Sequence, residues 1–275
     1  MKNRTVRRIS LTNLKKTLPI SVTKGSCFLN CKHCGKHYLK HMMWMEEISP
    51  SSLNGKYNSI LISGGVNSKL KVPIEGFLDR IIEFRKSGYR LNLHVGILTD
   101  DDNLEFLKYA DAVSLDFVGD EKVINEVYGL NISVREYLKT IEIVRKYIEP
   151  SIHLTVGLQC GRITHEYKAL EMLRELGFDK LIMNIFIPTL GTAYQNCFPP
   201  DFDDVKQVFQ KARLYFPKLI LGCMQPRGTY RVMLQRLAFD IGFDVITKPV
   251  QNTYKYIKKE GYEFSDHQEC CAFII

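Results

Sequence analysis

Three cysteines stand close together near the start of the chain, in Ser26-Cys27-Phe28-Leu29-Asn30-Cys31-Lys32-His33-Cys34, with a C-x3-C-x2-C spacing. Thiolates so near one another along a loop can converge on a single soft metal centre, and thiolate is the ligand that iron–sulfur clusters use. A four-iron cluster held by three protein ligands keeps one iron open for a small molecule. Two other readings fit the same residues: a zinc knuckle completed by His33, His37 or His41, or three buried thiols. Zinc sites usually repeat a C-x2-C pair, and no second such pair occurs here.

Five more cysteines follow: Cys160, Cys197, Cys223, Cys270 and Cys271. Scattered cysteines often serve only as small buried hydrophobes. Cys223 with the adjacent Cys270 and Cys271 would nevertheless supply three thiolates for a second, auxiliary cluster. Cys160 is the candidate for a fourth ligand, and Cys197, in a Pro-rich loop, ranks last. Asp116 ends an apolar run, where a carboxylate must bond something; a ribose hydroxyl pair and an internal salt bridge are both open. His94 reads either as a substrate contact or proton carrier, or as a satisfied core histidine.

The elements that must position these groups repeat along the chain. Apolar, β-branched runs at 20–23, 59–63, 91–95, 112–117, 152–158, 181–187, 219–222 and 245–247 alternate with helix-like segments at 35–47, 74–87, 103–108, 134–147, 166–176, 203–215, 229–241 and 251–260. Eight strand-plus-helix units predict an α/β fold, a parallel (β/α)8 TIM-type barrel in one domain. A partial (β/α)6 barrel with a C-terminal extension is the alternative. The expected division is an N-terminal extension over 1–19, the barrel over 20–260 and a cysteine-containing tail over 261–275, able to fold back over the mouth. Active groups of such barrels lie after the strand C-terminal ends. The cysteine triplet, Ser63-Gly64-Gly65, His94, Asp116, Cys160, Pro188 and Cys223 all fall there.

Bulk properties narrow the class. The 275 residues carry a net charge of +8, spread over pairs such as Lys15-Lys16 and Arg145-Lys146. That charge suits either a solvated surface or an acidic partner, and no nucleic-acid module signature is visible. Apolar runs stop well short of a bilayer span. No signal-peptide core follows the basic N-terminus, so a cytoplasmic protein is expected, a compartment in which a disulfide framework is not.

The stretch from Ile20 through Cys34 resembles the radical S-adenosylmethionine (radical SAM) superfamily. Cys31-Lys32-His33-Cys34-Gly35, Val127-Tyr128-Gly129-Leu130, Gly222-Cys223-Met224-Gln225-Pro226-Arg227-Gly228 and Glu269-Cys270-Cys271 are similar to members near biotin synthase and lipoyl synthase. The resemblance implies a 4Fe-4S cluster on Cys27, Cys31 and Cys34, chelated by S-adenosylmethionine and cleaving it to a 5′-deoxyadenosyl radical. It implies that His33 packs on the adenine, that Ser63, Gly64 and Gly65 offer backbone to the amino group, and that backbone beside Pro188 holds the nucleoside. Val66 stands where the family usually has Glu. It further implies a sulfurtransferase that inserts sulfur into a protein-bound octanoyl chain, as in two-protein lipoyl synthases. Implied partners are an octanoylated lipoyl carrier protein or peptide, a related second subunit, and an electron donor such as ferredoxin. Another radical SAM task (a maturase or a biotin-synthase-like enzyme) and a non-catalytic zinc- or iron-binding interaction protein are the alternatives.

Overall fold

The computed structural model describes residues 8–274. Eleven strands form one sheet in which every ladder is parallel. They are β1 (Arg8–Thr12), β2 (Thr17–Ser21), β3 (Met43–Trp44), β4 (Ser59–Ser63), β5 (Arg90–His94), β6 (Ala112–Asp116), β7 (Ser151–Val156), β8 (Lys180–Ile185), β9 (Lys218–Leu221), β10 (Val245–Thr247) and β11 (Glu263–His267). The eight strands expected from the apolar runs are β2 and β4–β10. One face is apolar, as the paired Ile60–Leu91 and Ile62–Leu93 illustrate, all fully buried, while the opposite face carries Asn92, His94, Ser114, Asp116, Ser151 and His153. The apolar face packs under the helices, and the polar one lines the interior of the curled sheet.

The order β11-β1-β10-β9-β8-β7-β6-β5-β4-β2-β3 is open, a barrel curled but not closed by a ladder. The expected closed ring is therefore corrected: β1 occupies the side of β10 that would have met β2, and β3 occupies the free side of β2. Residues of the chain's two ends stitch this seam instead. Lys16 N–H donates to Gln268 O at 2.7 Å, and Cys270 N–H donates to Thr17 Oγ1 at 2.7 Å. The N-terminal segment and the tail thus both contribute strands to the one sheet.

Helices α1 (Leu78–Lys86), α2 (Glu121–Tyr128), α3 (Val134–Arg145), α4 (Glu166–Glu175), α5 (Phe202–Tyr215), α6 (Thr229–Ile241) and α7 (Gln251–Lys259) lie between the strands. Their ends follow local chemistry: Asp120 caps α2 by accepting from Lys122 N and Val123 N. Gly129, at φ 70°, ends it in the left-handed conformation. The helix expected over 35–47 is absent; short 3-10 turns at His37–His41 and Met45–Glu47 flank β3. Gly35 and Lys36 both hold positive φ, which breaks a right-handed helix at its start. The segment expected as a helix over 103–108 is likewise a 3-10 turn, Glu105–Tyr109.

Candidate active site

The cysteine loop leaves the C-terminal end of β2 and is fastened on three sides. Phe28 N–H donates to Val66 O at 2.8 Å, Lys32 N–H to Val127 O at 2.8 Å, and Tyr194 N–H to Lys32 O at 3.0 Å. Between those points Cys34 N–H and Gly35 N–H both donate to Cys31 O, turning the chain tightly between the second and third thiols. Cys27, Cys31 and Cys34 are half-buried and free. Burial first, then the neighbouring thiols of Cys34 and Cys27, push the Cys31 thiol up to about 12. The Cys34 thiol is pushed up as well, by burial first, and clustered thiolates whose charges oppose one another are relieved by a cation, so these residues fit an iron–sulfur cluster. Among the described residues, no group of three or more His, Cys, Asp or Glu side chains is set to hold a single metal ion.

Gly64 and Gly65 sit under this loop, and their role is steric. A Cβ on Gly65 would lie 2.0 Å from Ser26 O and 2.5 Å from Cys27 Cα. Only glycine lets the end of β4 approach the first cysteine so closely. The Gly65 N–H is already bonded to Thr23 Oγ1 at 2.8 Å, so of its backbone polar groups the carbonyl is left for a ligand. Ser63 is buried at the end of β4 and its carbonyl accepts from Val22 N–H. Pro188 lies on the loop after β8, next to Thr189, whose hydroxyl shares a hydrogen bond of 3.1 Å with Tyr38 of the cysteine segment.

Inside the mouth, Asp116 meets His94, Oδ2 to Nε2, at 3.2 Å. Of the two readings open for Asp116, an internal pair is therefore formed, while half of the side chain stays exposed to a ligand. Desolvation alone would raise this carboxyl, but His94, with His153 and His33 behind it, brings it down to about 2. His94 shifts the other way: burial disfavours its cation, yet Asp116 more than compensates and its pKa rises. His33 and His153 are both lowered to about 4, burial being the main cause. Their Nδ1 atoms are buried with no hydrogen-bond partner among the described residues. The His33 ring stands edge-on to Tyr128 with centroids 5.5 Å apart. Two orphaned nitrogens beside a half-open carboxylate are what a polar ligand entering this mouth could satisfy.

Cys223 follows β9 by two residues, at the same end of the barrel as the cysteine loop. Its loop is built from buried amides: Gln225 donates to Gly222 O at 2.7 Å and Thr247 O at 2.8 Å, and accepts from Gln235 at 2.7 Å. Asn184 Oδ1 receives Met224 N–H, and a Cβ on Gly222 would strike that oxygen at 2.2 Å. These supports explain a motif that as sequence was only a resemblance.

The tail does not fold over the mouth as expected. It packs against the beginnings of the strands, from the opposite end. Cys271 and Ile274 are buried with Ile182, Ile220 and Val245. Arg90, the first residue of β5, lies 4.2 Å from the Phe273 ring and reaches Glu269 at 3.5 Å. From there Cys270 points up the interior to Asn92, whose Nδ2 is 3.5 Å from its sulfur. Burial above all pushes the Cys223 thiol up, and the hydrogen bond with Cys270, then burial, pushes the Cys271 thiol up. Cys270 and Cys271 enter from the strand beginnings, while Cys223 stands at the strand ends. Cys160 is corrected: it is bonded to Cys197, Cα to Cα 5.3 Å, so it is withdrawn from the thiolate set. Sequence reasoning also missed His153, Glu126 and Tyr194, which carry no motif and meet only through the fold.

The fold is a curled parallel α/β barrel of the TIM type, with a three-cysteine loop following β2. Among solved structures, the chain is similar to methylornithine synthase (PylB), with 14% identity, 95% of this chain and 84% of that one covered, and a TM-score of 0.63. It is also similar to SuiB of Streptococcus suis bound to its precursor peptide SuiA, with 14% identity, 92% of this chain and 53% of that one covered, and a TM-score of 0.53. At such identities the likeness is one of fold. No family model and no curated protein sequence matches the chain. Among the described residues no helix is long and apolar enough to cross a membrane.

Proposed function

We propose that this chain is a radical SAM enzyme in which Cys27, Cys31 and Cys34 hold a 4Fe-4S cluster. The observation that carries the reading is the placement of this loop at the strand ends, fixed against Gly65, Val127 and Tyr194, directly over the Asp116–His94 pair. When bound, the cluster and S-adenosylmethionine would supply a carbon radical able to take hydrogen from a saturated C–H bond. The chain's own part is to bind. Asp116 offers an ionised carboxylate to hydroxyls, and His33 a neutral ring and a free Nδ1.

The finer reading is a sulfurtransferase acting on a protein-bound octanoyl chain, with a related second subunit, an octanoylated carrier and a donor such as ferredoxin. Its support is three further free cysteines, Cys270 and Cys271 entering from the strand beginnings and Cys223 at the strand ends, soft donors of the kind an auxiliary sulfur-donating cluster uses. The test is anaerobic reconstitution with iron and sulfide, then reduction with S-adenosylmethionine present. The parent should form 5′-deoxyadenosine and the Cys31→Ala variant none. A reconstituted parent that forms none refutes the enzyme reading. Thiolated octanoyl product that survives in a Cys270→Ala/Cys271→Ala variant refutes the finer one.

A further inference from the structure

We propose that Glu126 is a positioning residue for the cysteine loop, fixing Lys32, between Cys31 and Cys34, through Tyr194. The inference rests on the reading of the three cysteines as cluster ligands. Lys32 is held by two backbone bonds to elements remote in sequence: its N–H to Val127 O at 2.8 Å and its carbonyl to Tyr194 N–H at 3.0 Å. The Val127 carbonyl belongs to the last turn of α2, where a helix leaves carbonyls without internal partners. Tyr194 is itself fixed. Its ring is buried edge-on to Phe186 at 5.9 Å, and its hydroxyl donates to Glu126 Oε1 at 2.9 Å. The Lys32 ammonium stands 5.8 Å from the centre of the same ring.

Glu126 does more than accept from tyrosine. Its Oε2 accepts from Gln159 Nε2, and its Oε1 accepts from Arg162 Nη2 at 3.3 Å. Gln159 and Arg162 flank Cys160, whose disulfide partner Cys197 lies three residues beyond Tyr194. One carboxylate therefore joins α2 to the loops after β7 and β8, and the disulfide joins those two loops again. Charge-assisted bonds of this kind are stronger than neutral ones. Removing the carboxylate leaves the tyrosine hydroxyl and the Gln159 amide without their acceptor. The segment that would then loosen is the one that spaces the second and third thiols.

The experiment compares the full chain with Glu126→Ala, Glu126→Gln and Tyr194→Phe after anaerobic reconstitution with ferrous iron and sulfide. The readouts are iron per chain, the rate of iron release to a chelator, the electron paramagnetic resonance spectrum of the reduced protein, and the circular dichroism of the metal-free protein. We expect Glu126→Ala and Tyr194→Phe to keep parent-like dichroism while releasing iron about 10-fold faster, as loss of an outer partner of a metal ligand does. Their spectra should be shifted from the parent's. Glu126→Gln, which keeps an acceptor for Tyr194, should release iron at a rate nearer the parent's than Glu126→Ala does. Parent rates and spectra in both Glu126→Ala and Tyr194→Phe would overturn the inference. If Glu126→Ala does not fold, Tyr194→Phe, which removes one oxygen, decides alone. A parent that takes up no iron overturns the cluster reading itself, a result distinguishable from the first.

Discussion

Adding one methyl group at Gly65 separates a steric role for this glycine from a ligand-facing one. The new Cβ would lie 2.0 Å from Ser26 O, 2.4 Å from Cys27 Cβ and 2.5 Å from Cys27 Cα, all below the 3.0 Å that real Cβ contacts respect. Two of those atoms are backbone, so no rotamer relieves them; the cysteine loop must retreat from β4 by about 1 Å, a displacement that costs ~100-fold where reacting groups are positioned. Overpacking of this kind also costs about 1–3 kcal/mol of stability. Gly64→Ala is the nearest comparison. Its closest neighbours are side chains, Thr23 Oγ1 at 3.0 Å and Val22 Cγ2 at 3.2 Å, which can give way. Gly76→Ala, with nothing within 4 Å and no positive φ, is the control. The assay is 5′-deoxyadenosine formation by reconstituted protein, with the thermal midpoint of the metal-free form beside it. The expected order of loss is Gly65→Ala far above Gly64→Ala, with Gly76→Ala at parent level. A Gly65→Ala protein with the parent's rate and midpoint would refute the claim that strand β4 positions the first cysteine by close approach.

Three further outcomes follow from single observations. Labelling of unfolded, unreduced protein should find six free thiols, and eight after reduction, because Cys160 and Cys197 are bonded and the other six cysteines are free. Gln225→Leu should cost about 1–3 kcal/mol per carbonyl left unpaired, since Gly222 O and Thr247 O both rely on its amide; an unchanged urea midpoint would contradict this. His153 has a folded pKa lowered to about 4 against an ordinary value of 6.5, so its contribution to stability is full above pH 6.5 and is lost as pH falls from there towards 4. The slope from this group reaches about 1.4 kcal/mol per pH unit, and His153→Gln should flatten urea-melt stability over that window; an equally steep decline in the variant would remove His153 as its source.

Much of the barrel is legible in the sequence because its strands are written as short β-branched, apolar-rich runs between helix-like segments. The runs at 59–63 and 245–247 coincide with β4 and β10, and the other six expected strands overlap their observed counterparts. The two end strands escape this signal for opposite reasons. β1 is a short run beside a basic terminus, and β11, Glu263–His267, is a polar edge whose side chains are at most half-buried. Helix α2 is not among those expected: its caps, Asp120 and Gly129, bound it, but at eight residues it is too brief for periodicity to stand out. The segment 35–47 misleads in the other direction. Its aromatic and aliphatic residues look helical, but Tyr38 is drawn to Thr189 and Gly35 packs on Thr192, so tertiary contact decides its path.

The site divides along the same line. Spacing alone marks Cys27, Cys31 and Cys34, since three residues so near in sequence share one loop whatever the rest of the fold does. The partners of Asp116, of Cys160 and of the tail lie on distant strands, and nothing in the sequence says which distant residue will be met. The tail shows the consequence most plainly. Seated at the strand beginnings by Ile274 and by Arg90 against Phe273, it sends Cys270 and Cys271 upward, while the cysteine loop closes the other end. The loop thiols and the tail thiols therefore stand at opposite ends of the curled sheet, with Asn92, His94 and Asp116 along the face between them. On the sulfur-insertion reading this order has chemical sense. A carbon that has lost hydrogen to a group at the mouth must meet its sulfur before water or a second reductant does, and only a donor already inside the barrel satisfies that. A tail folded over the mouth would instead compete with the entry of the substrate.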